Sequence, residues 1–169
     1  FTEKINSRLP EDIRILDAEL VRNGFHARKS AVGKRYIFQL DLAEKPDVFT
    51  RRYTYHFPQL LVLVAMRKAG LLLIGTYEFA GYTDKKVEKS SKRTFYAIMI
   101  CGQGSKVSIQ YEGTGFLYHM VRILTGTLLE VGTGARSIES VKEPLKSKDR
   151  SQAGFLAPAR GLFLDEVYY

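Results

Sequence analysis

Arg122 is the residue whose surroundings most directly suggest chemistry. From Phe116 to Leu129 it is the only formally charged residue, in a run whose apolar residues recur with the spacing of a helix face. Leu129 lies on the same side of that helix as Arg122, so the helix is apolar nearly all round and is predicted to be buried. Leaving a guanidinium unpaired inside a protein costs several kcal/mol, so a carboxylate or a phosphate is expected against Arg122. That partner belongs either to a structural salt bridge or to a site that handles anions.

Tyr36 is the second candidate. It shares one face of a predicted strand with Phe38 and Leu40, which is the position of a core tyrosine. Alternatively, its ring can stack on an extruded base, a contact worth about 1–3 kcal/mol, and its hydroxyl can move a proton. The basic residues near it in sequence form either a solvated face or a rim that contacts phosphates. They are Arg28, Lys29, Lys34 and Arg35.

Composition narrows the class of protein. The 169 residues carry a formal net charge of +8, which favours a polyanionic partner over an ordinary basic surface. The single cysteine, Cys101, excludes an internal disulfide and predicts a reducing compartment, the cytoplasm. No apolar run reaches the roughly 18 residues that span a bilayer, so no membrane association is predicted. The three histidines lie far apart without a cysteine pair, and no metal site is predicted.

The chain that must position these residues alternates between strand and helix patterns. Strands are predicted at 13–21, 28–42, 93–100, 106–111 and 161–167. Helices are predicted at 58–73, from 116 onward and at 138–146, and a polar loop with three lysines at 82–91. The short connection at 102–105 indicates a hairpin, and Gly33 is a candidate bulge. The fold class is therefore α+β, with a largely antiparallel mixed sheet and flanking helices.

The segment from Gly113 to Gly132 carries a resemblance to a known family. Its pattern G-x-G-F-L-Y-x-M-V-R-x-L-x-G-T-L-L-E-V-G resembles the most characteristic segment of the TruA-type tRNA pseudouridine synthases. Further matching segments follow the family's order and extend over essentially the whole chain. They lie at 6–13, 25–28, 34–36, 75–79, 93–94, 149–154 and 157–164.

One departure from the family pattern is large. The family's catalytic aspartate lies in an R-T-D-x-G-V-H-A motif, whereas the only Arg-Thr pair here, Arg93-Thr94, is followed by Phe95. The resemblance therefore implies a C-terminal portion of such an enzyme. We expect one catalytic-type domain over residues 1–169, without the N-terminal domain that carries the nucleophile.

The resemblance also implies a function. It implies an isomerase that converts uridine to pseudouridine at positions 38–40 in the anticodon stem and loop of tRNA. In the family the arginine pairs with the catalytic aspartate and the tyrosine lies against the target uracil, which assigns catalytic roles to Arg122 and Tyr36. Substrate binding is assigned to Arg28, Lys34, Arg35, Tyr118 and Leu162. No cofactor is implied, the partner is tRNA, and the family works as a homodimer.

Two other classes of function stay open on the sequence. The chain is alternatively a basic RNA-binding module without catalytic activity, which binds RNA and never modifies it. A third reading is a different basic enzyme whose acid or base is Glu78 or Glu112. Only the third reading predicts turnover by this chain alone.

Overall fold

A computed structural model of the chain describes residues 1–88 and 90–169. The chain divides into two compact units, Phe1–Ala31 and Val32–Tyr169. The single domain expected over residues 1–169 stays a prediction. Among the described residues, no helix is both long enough and apolar enough to cross a bilayer.

The first unit contains one short helix, α1 (Thr2–Asn6). The side-chain amide of Asn6 donates to the carbonyl of Ile15 and accepts from its N–H, each at 2.8 Å. The strand predicted at 13–21 is wrong, since none of these described residues is in a strand and Leu16 is 91% exposed. A strand is held by hydrogen bonds to a neighbouring strand, and residues 1–31 contain none.

The second unit is built on one mixed sheet. Its six strands are β1 (Gly33–Asp41), β2 (Tyr55–His56), β3 (Gly75–Glu78), β4 (Lys92–Gln103), β5 (Lys106–Gly113) and β6 (Leu162–Tyr168), counted over the described residues. The strand order is β2-β1-β5-β4-β3, and β6 also pairs with β1. Every pairing except that of β1 with β2 is antiparallel. The predicted α+β class with a largely antiparallel sheet is confirmed.

The strand bounds differ from the predicted ones where pairing decides them. The hairpin of β4 and β5 is confirmed, and its turn is tight because Gly104 adopts a left-handed φ of 57°. Strand β1 begins at Gly33, opposite Tyr168 of β6, and a register shift falls between Arg35 and Tyr36 rather than at Gly33. The short strands β2 and β3 were not predicted, because so few residues show no alternation.

The second unit contains three α-helices among its described residues. They are α2 (Leu63–Leu71), α3 (Met120–Gly132) and α4 (Glu143–Ser147). Helix α3 is buried along nearly its whole length, as predicted. It begins at Met120 rather than Phe116, because His119 adopts a left-handed φ of 60° that no α-helical residue has. The core lies between the sheet and helices α2 and α3.

The polar loop predicted at 82–91 is described except at Lys89, which lies outside the described residues. Its first residue, Tyr82, belongs to the core. Tyr82 is fully buried and its hydroxyl donates to the carbonyl of Val141 at 2.6 Å. Lys85 and Lys86 are exposed, as the predicted loop requires.

Candidate active site

Tyr36 lies on the face of the sheet that carries the helices. It is directly opposite Tyr111 of β5, and opposed residues point to the same side of a sheet. The hydroxyl of Tyr111 forms a 2.8 Å hydrogen bond with that of Thr125 in α3, which identifies the side. Tyr36 is half-buried and packs edge-on against Phe116, with ring centroids 5.2 Å apart. Part of Tyr36 is therefore exposed.

Leu162 lies close to Tyr36 on the neighbouring strand. It opposes Phe38 of β1, two positions along from Tyr36, and so lies on the same face. Leu162 is partly buried against the core, as are Tyr36 and Phe116. The structure thus brings two of the predicted site residues together on one half-buried apolar surface.

Arg122 lies in the first turn of α3 and is half-buried, unlike the residues around it. Its Nε donates a 2.6 Å hydrogen bond to the carbonyl of Ala157. No ion pair among the described residues involves Arg122. In the described part of the chain the partner of Arg122 is therefore a carbonyl oxygen and not a carboxylate. Since a guanidinium carries five donors in a planar fork, its two amino groups can bind a carboxylate or phosphate.

Tyr118 lies in the loop before α3, where it is 58% exposed. Its ring stacks on that of His119, with centroids 3.7 Å apart. His119 is held in turn by a 2.8 Å contact between its Nδ1 and Asp84, whose other oxygen accepts from Nε of Arg150 at 2.7 Å. The hydrogen bond from His119 lowers the pKa of Asp84, although partial burial opposes this, and Arg150 adds to the effect. The exposed ring of Tyr118 therefore has a fixed support.

The predicted basic residues are not all in one place. In the register with β5, Lys34 lies on the same face as Tyr36, whereas Arg35 lies on the opposite face. Arg35 forms ion pairs with Asp165, at 2.9 Å, and with Glu166. Its charge is thus neutralised within the chain. Arg28 belongs to the first unit, and its part in this site stays a prediction.

Glu78 and Glu112, the candidate acid or base of a different basic enzyme, are poorly placed for catalysis. Glu78 pairs with Lys148 at 2.5 Å, and that hydrogen bond lowers the pKa of Glu78, which keeps it ionised. Glu112 opposes Arg35 in the sheet and so lies on the face away from Tyr36. Within the part of the chain that the structure describes, no three His, Cys, Asp or Glu residues form a group able to hold a metal ion.

Sequence reasoning missed the groups that hold the site in place. The carbonyl of Ala157 is a backbone atom, so no residue type in the sequence marks it. The pair of Asp84 and Arg150 is 66 residues apart in sequence. Its one available signal is that Arg150 falls in the matching segment at 149–154.

Comparison with known proteins places these residues in a family context. A family model described as tRNA pseudouridine synthase matches residues 69–169. The tRNA pseudouridine synthase A of Bacillus subtilis (strain 168) is 44% identical over 166 residues, which cover 98% of this chain and 67% of that protein. The protein of the same name from Geobacillus sp. (strain WCH70) is 42% identical over 170 residues, covering 100% and 68%. That from Clostridium kluyveri is 40% identical over 166 residues, covering 98% and 68%.

Proposed function

This chain belongs to the tRNA pseudouridine synthase family, and we propose that it takes part in isomerising uridine to pseudouridine in tRNA, at positions 38–40 of the anticodon stem and loop. The family match covers the segment that contains α3 and β6. One observation carries the proposal further. Arg122 keeps two amino groups for an anion while its Nε is fixed by Ala157.

The nucleophile of this reaction comes from outside the 169 residues. No R-T-D-x-G motif is present in the chain, and no ion pair of Arg122 with a described carboxylate takes its place. An aspartate supplied there attacks the uridine at ribose C1′ or at uracil C6. The glycosidic bond breaks, the base turns and C1′ bonds to C5. The bond to the aspartate breaks again, which returns its carboxylate, and the proton lost from C5 is balanced by one gained at N1. No cofactor is needed, because both bonds belong to one nucleotide.

Arg122 acts on that aspartate. Two parallel hydrogen bonds from its amino groups hold a carboxylate ionised and in one orientation, and charge-assisted pairs of this kind are short and strong. Half-burial keeps water from competing fully for the pair. A lysine in this position would offer a point charge without the planar fork.

The remaining residues bind the base and its backbone. Tyr36 stacks on the extruded uracil, and its hydroxyl relays the proton that leaves C5, passing its own proton on to the solvent side as it accepts that one. Leu162 adds an apolar wall on the same face, and Tyr118 offers a second exposed ring. Lys34, which has no ion pair among the described residues, contacts a phosphate. Arg28 belongs to this set only as the resemblance assigns it. Arg35, which the resemblance also assigns to it, contacts no phosphate in this proposal, because Asp165 and Glu166 neutralise it.

Assembly and location are also proposed on the resemblance. We propose a homodimer whose subunits share one tRNA, working in the cytoplasm. The single cysteine supports the cytoplasm, and the +8 charge supports tRNA as the partner. Light scattering of the protein with and without tRNA measures the oligomeric state, and a monomer in both conditions would contradict the dimer.

The experiment that tests the function starts with the reading frame upstream of Phe1, where we expect an R-T-D-x-G motif. The longer protein is defined as this chain joined to those upstream residues. It is incubated with unmodified tRNA, and pseudouridine is mapped by carbodiimide modification and primer extension. We expect conversion at positions 38–40, abolished when the motif aspartate is replaced by alanine. Tight tRNA binding without any conversion would favour the RNA-binding module instead.

A further inference from the structure

We propose that Thr127 and the segment 153–157, called the strap, position the guanidinium of Arg122. The proposal rests on the function proposed for Arg122 but concerns a different part of the chain. Thr127 and the strap contact no substrate in this scheme. They act through Arg122, because they fix the carbonyl of Ala157, which accepts the hydrogen bond from the Nε of Arg122.

Glycines let the strap lie directly on helix α3. A Cβ added at Gly126 would be 1.9 Å from the carbonyl oxygen of Phe155, and one added at Gly154 would be 2.6 Å from the backbone of Thr127. Both distances are far below any real contact between such atoms. The helix and the strap therefore touch backbone to backbone, at a spacing that no other residue type allows.

Side-chain hydrogen bonds then fix the strap along the helix. The hydroxyl of Thr127 accepts from the N–H of Gly154 at 2.9 Å, and both residues are buried. One turn further along α3, Glu130 accepts from the N–H of Phe155 at 3.1 Å. Arg150 donates to the carbonyl of Gly154 at 2.9 Å. The N–H and the carbonyl of Gly154 are thus both bonded, which leaves this residue little freedom to shift.

The far end of the strap meets Arg122 through two bonds. The N–H of Ala157 donates to the carbonyl of Arg122 at 3.3 Å, and the carbonyl of Ala157 accepts from Nε of Arg122 at 2.6 Å. The direction of the guanidinium plane therefore depends on where Thr127 places the strap. A displacement of about 1 Å in a reacting group can cost on the order of a hundredfold in rate, so the support of Arg122 matters for the reaction.

Helix α3 offers a matched control for Thr127. Thr125 is equally buried, and each hydroxyl donates to the carbonyl four residues earlier, at 2.9 Å for Thr125 and 2.8 Å for Thr127. Thr125 also bonds the hydroxyl of Tyr111 in the sheet, whereas Thr127 bonds the N–H of Gly154 and contacts the hydroxyl of Tyr82. Replacing either by valine keeps the shape of the side chain and removes its hydroxyl, with the backbone bond that both hydroxyls make. Of the two variants, only Thr127→Val removes a hydrogen bond to the strap.

The test measures the exchange rate of the Nε proton of Arg122 by ¹H–¹⁵N NMR on this chain, with the resonance assigned by its loss in Arg122→Lys. We expect a protected proton in the parent. Thr127→Val should speed its exchange by about tenfold, which is the protection of roughly one hydrogen bond. Thr125→Val should leave the rate within about twofold. Equal rates in the parent and Thr127→Val, or the same acceleration in both variants, would overturn the proposal.

A second measurement separates this inference from the proposed function. In the longer protein, Thr127→Val should lower kcat by at least about tenfold and leave KM within about twofold, because Arg122 acts after tRNA is bound. A normal kcat beside a changed exchange rate would overturn the positioning role. Absence of tRNA conversion by the longer protein without substitutions would overturn the proposed function, while the exchange rates still decide whether the strap holds Arg122.

Discussion

Arg122 is tied to Ala157 by a 2.6 Å hydrogen bond from its Nε to a carbonyl oxygen 35 residues later in the chain. This bond uses the one guanidinium donor that does not belong to its two amino groups. The amino groups together form the edge that binds a carboxylate through two parallel bonds. The Nε of Arg122 thus anchors the side chain, and its two amino groups are proposed to bind the carboxylate.

Arg122→Lys in the longer protein is expected to lose most activity, roughly a hundredfold or more. An ammonium cannot bond Ala157 and also present a planar pair of donors. Single-turnover conversion of unmodified tRNA measures the effect. A rate near that of the parent would reduce Arg122 to an ordinary charge.

Arg122→Ala in this chain should lower the free energy of unfolding by about 1.5–3 kcal/mol, the range for a hydrogen bond between a charged group and a neutral carbonyl. Breaking a buried ion pair would cost about 3–5 kcal/mol. Urea unfolding measures the difference. A loss in the larger range would contradict the assignment of Ala157 as the partner within this chain.

Tyr36→Phe in the longer protein is expected to keep affinity for tRNA and to slow product formation. The ring still stacks, but no hydroxyl is left to relay the proton that leaves C5. Tyr36→Leu should weaken both binding and rate. If Tyr36 is only a core residue packed on Phe116, the phenylalanine variant will react at the parental single-turnover rate.

The chain of 169 residues alone should convert no uridine, because groups that position a substrate cannot form the covalent intermediate. Incubation with unmodified tRNA followed by pseudouridine mapping checks this. Stoichiometric product above the control without protein would show that a nucleophile lies within the chain. It would favour the hypothesis of an enzyme whose catalytic groups all lie within these 169 residues.

Binding of tRNA to this chain should weaken as salt rises, with a slope of log K against log salt of about −0.7 to −0.9 for each phosphate contact. Lys34→Ala is expected to make that slope shallower by one such contact. Arg35→Ala is the matched control and should leave it unchanged, since Asp165 and Glu166 already neutralise Arg35. If the affinity of the unsubstituted chain does not change with salt, phosphate contacts by these 169 residues do not contribute to tRNA binding.

Asp84 should contribute stability that depends on pH. Because its pKa is lowered in the folded chain, its contribution is present above the ordinary aspartate pKa, about 3.9, and is lost as pH falls through the lowered value. Thermal unfolding from pH 6 to pH 3 should show a smaller loss for Asp84→Asn than for the parent. The exposed Asp12→Asn is the control, and equal slopes for the parent and Asp84→Asn would contradict the prediction.

Residue type and spacing alone marked the pieces that the site uses. The lone charge in an apolar helical run predicted a buried α3 and selected Arg122, and the alternation around Tyr36 predicted β1. The hairpin of β4 and β5 was equally readable, because its glycine turn joins two alternating runs. These signals come from residues close together in the sequence, whose preferences for helix, strand or turn can be read without knowing the tertiary structure.

The tertiary structure decided what those pieces meet. The partner of Arg122 is a backbone carbonyl of Ala157, and a backbone atom has no letter in a sequence. The strand predicted at 13–21 is wrong for a related reason. Alternating apolar residues indicate which face of a strand would be buried, but a strand also needs a neighbouring strand to pair with, and that depends on the tertiary structure. Arg35 is adjacent to Lys34 and has the same charge, yet it is paired with carboxylates on the other face of the sheet, because successive residues of a strand point to opposite sides.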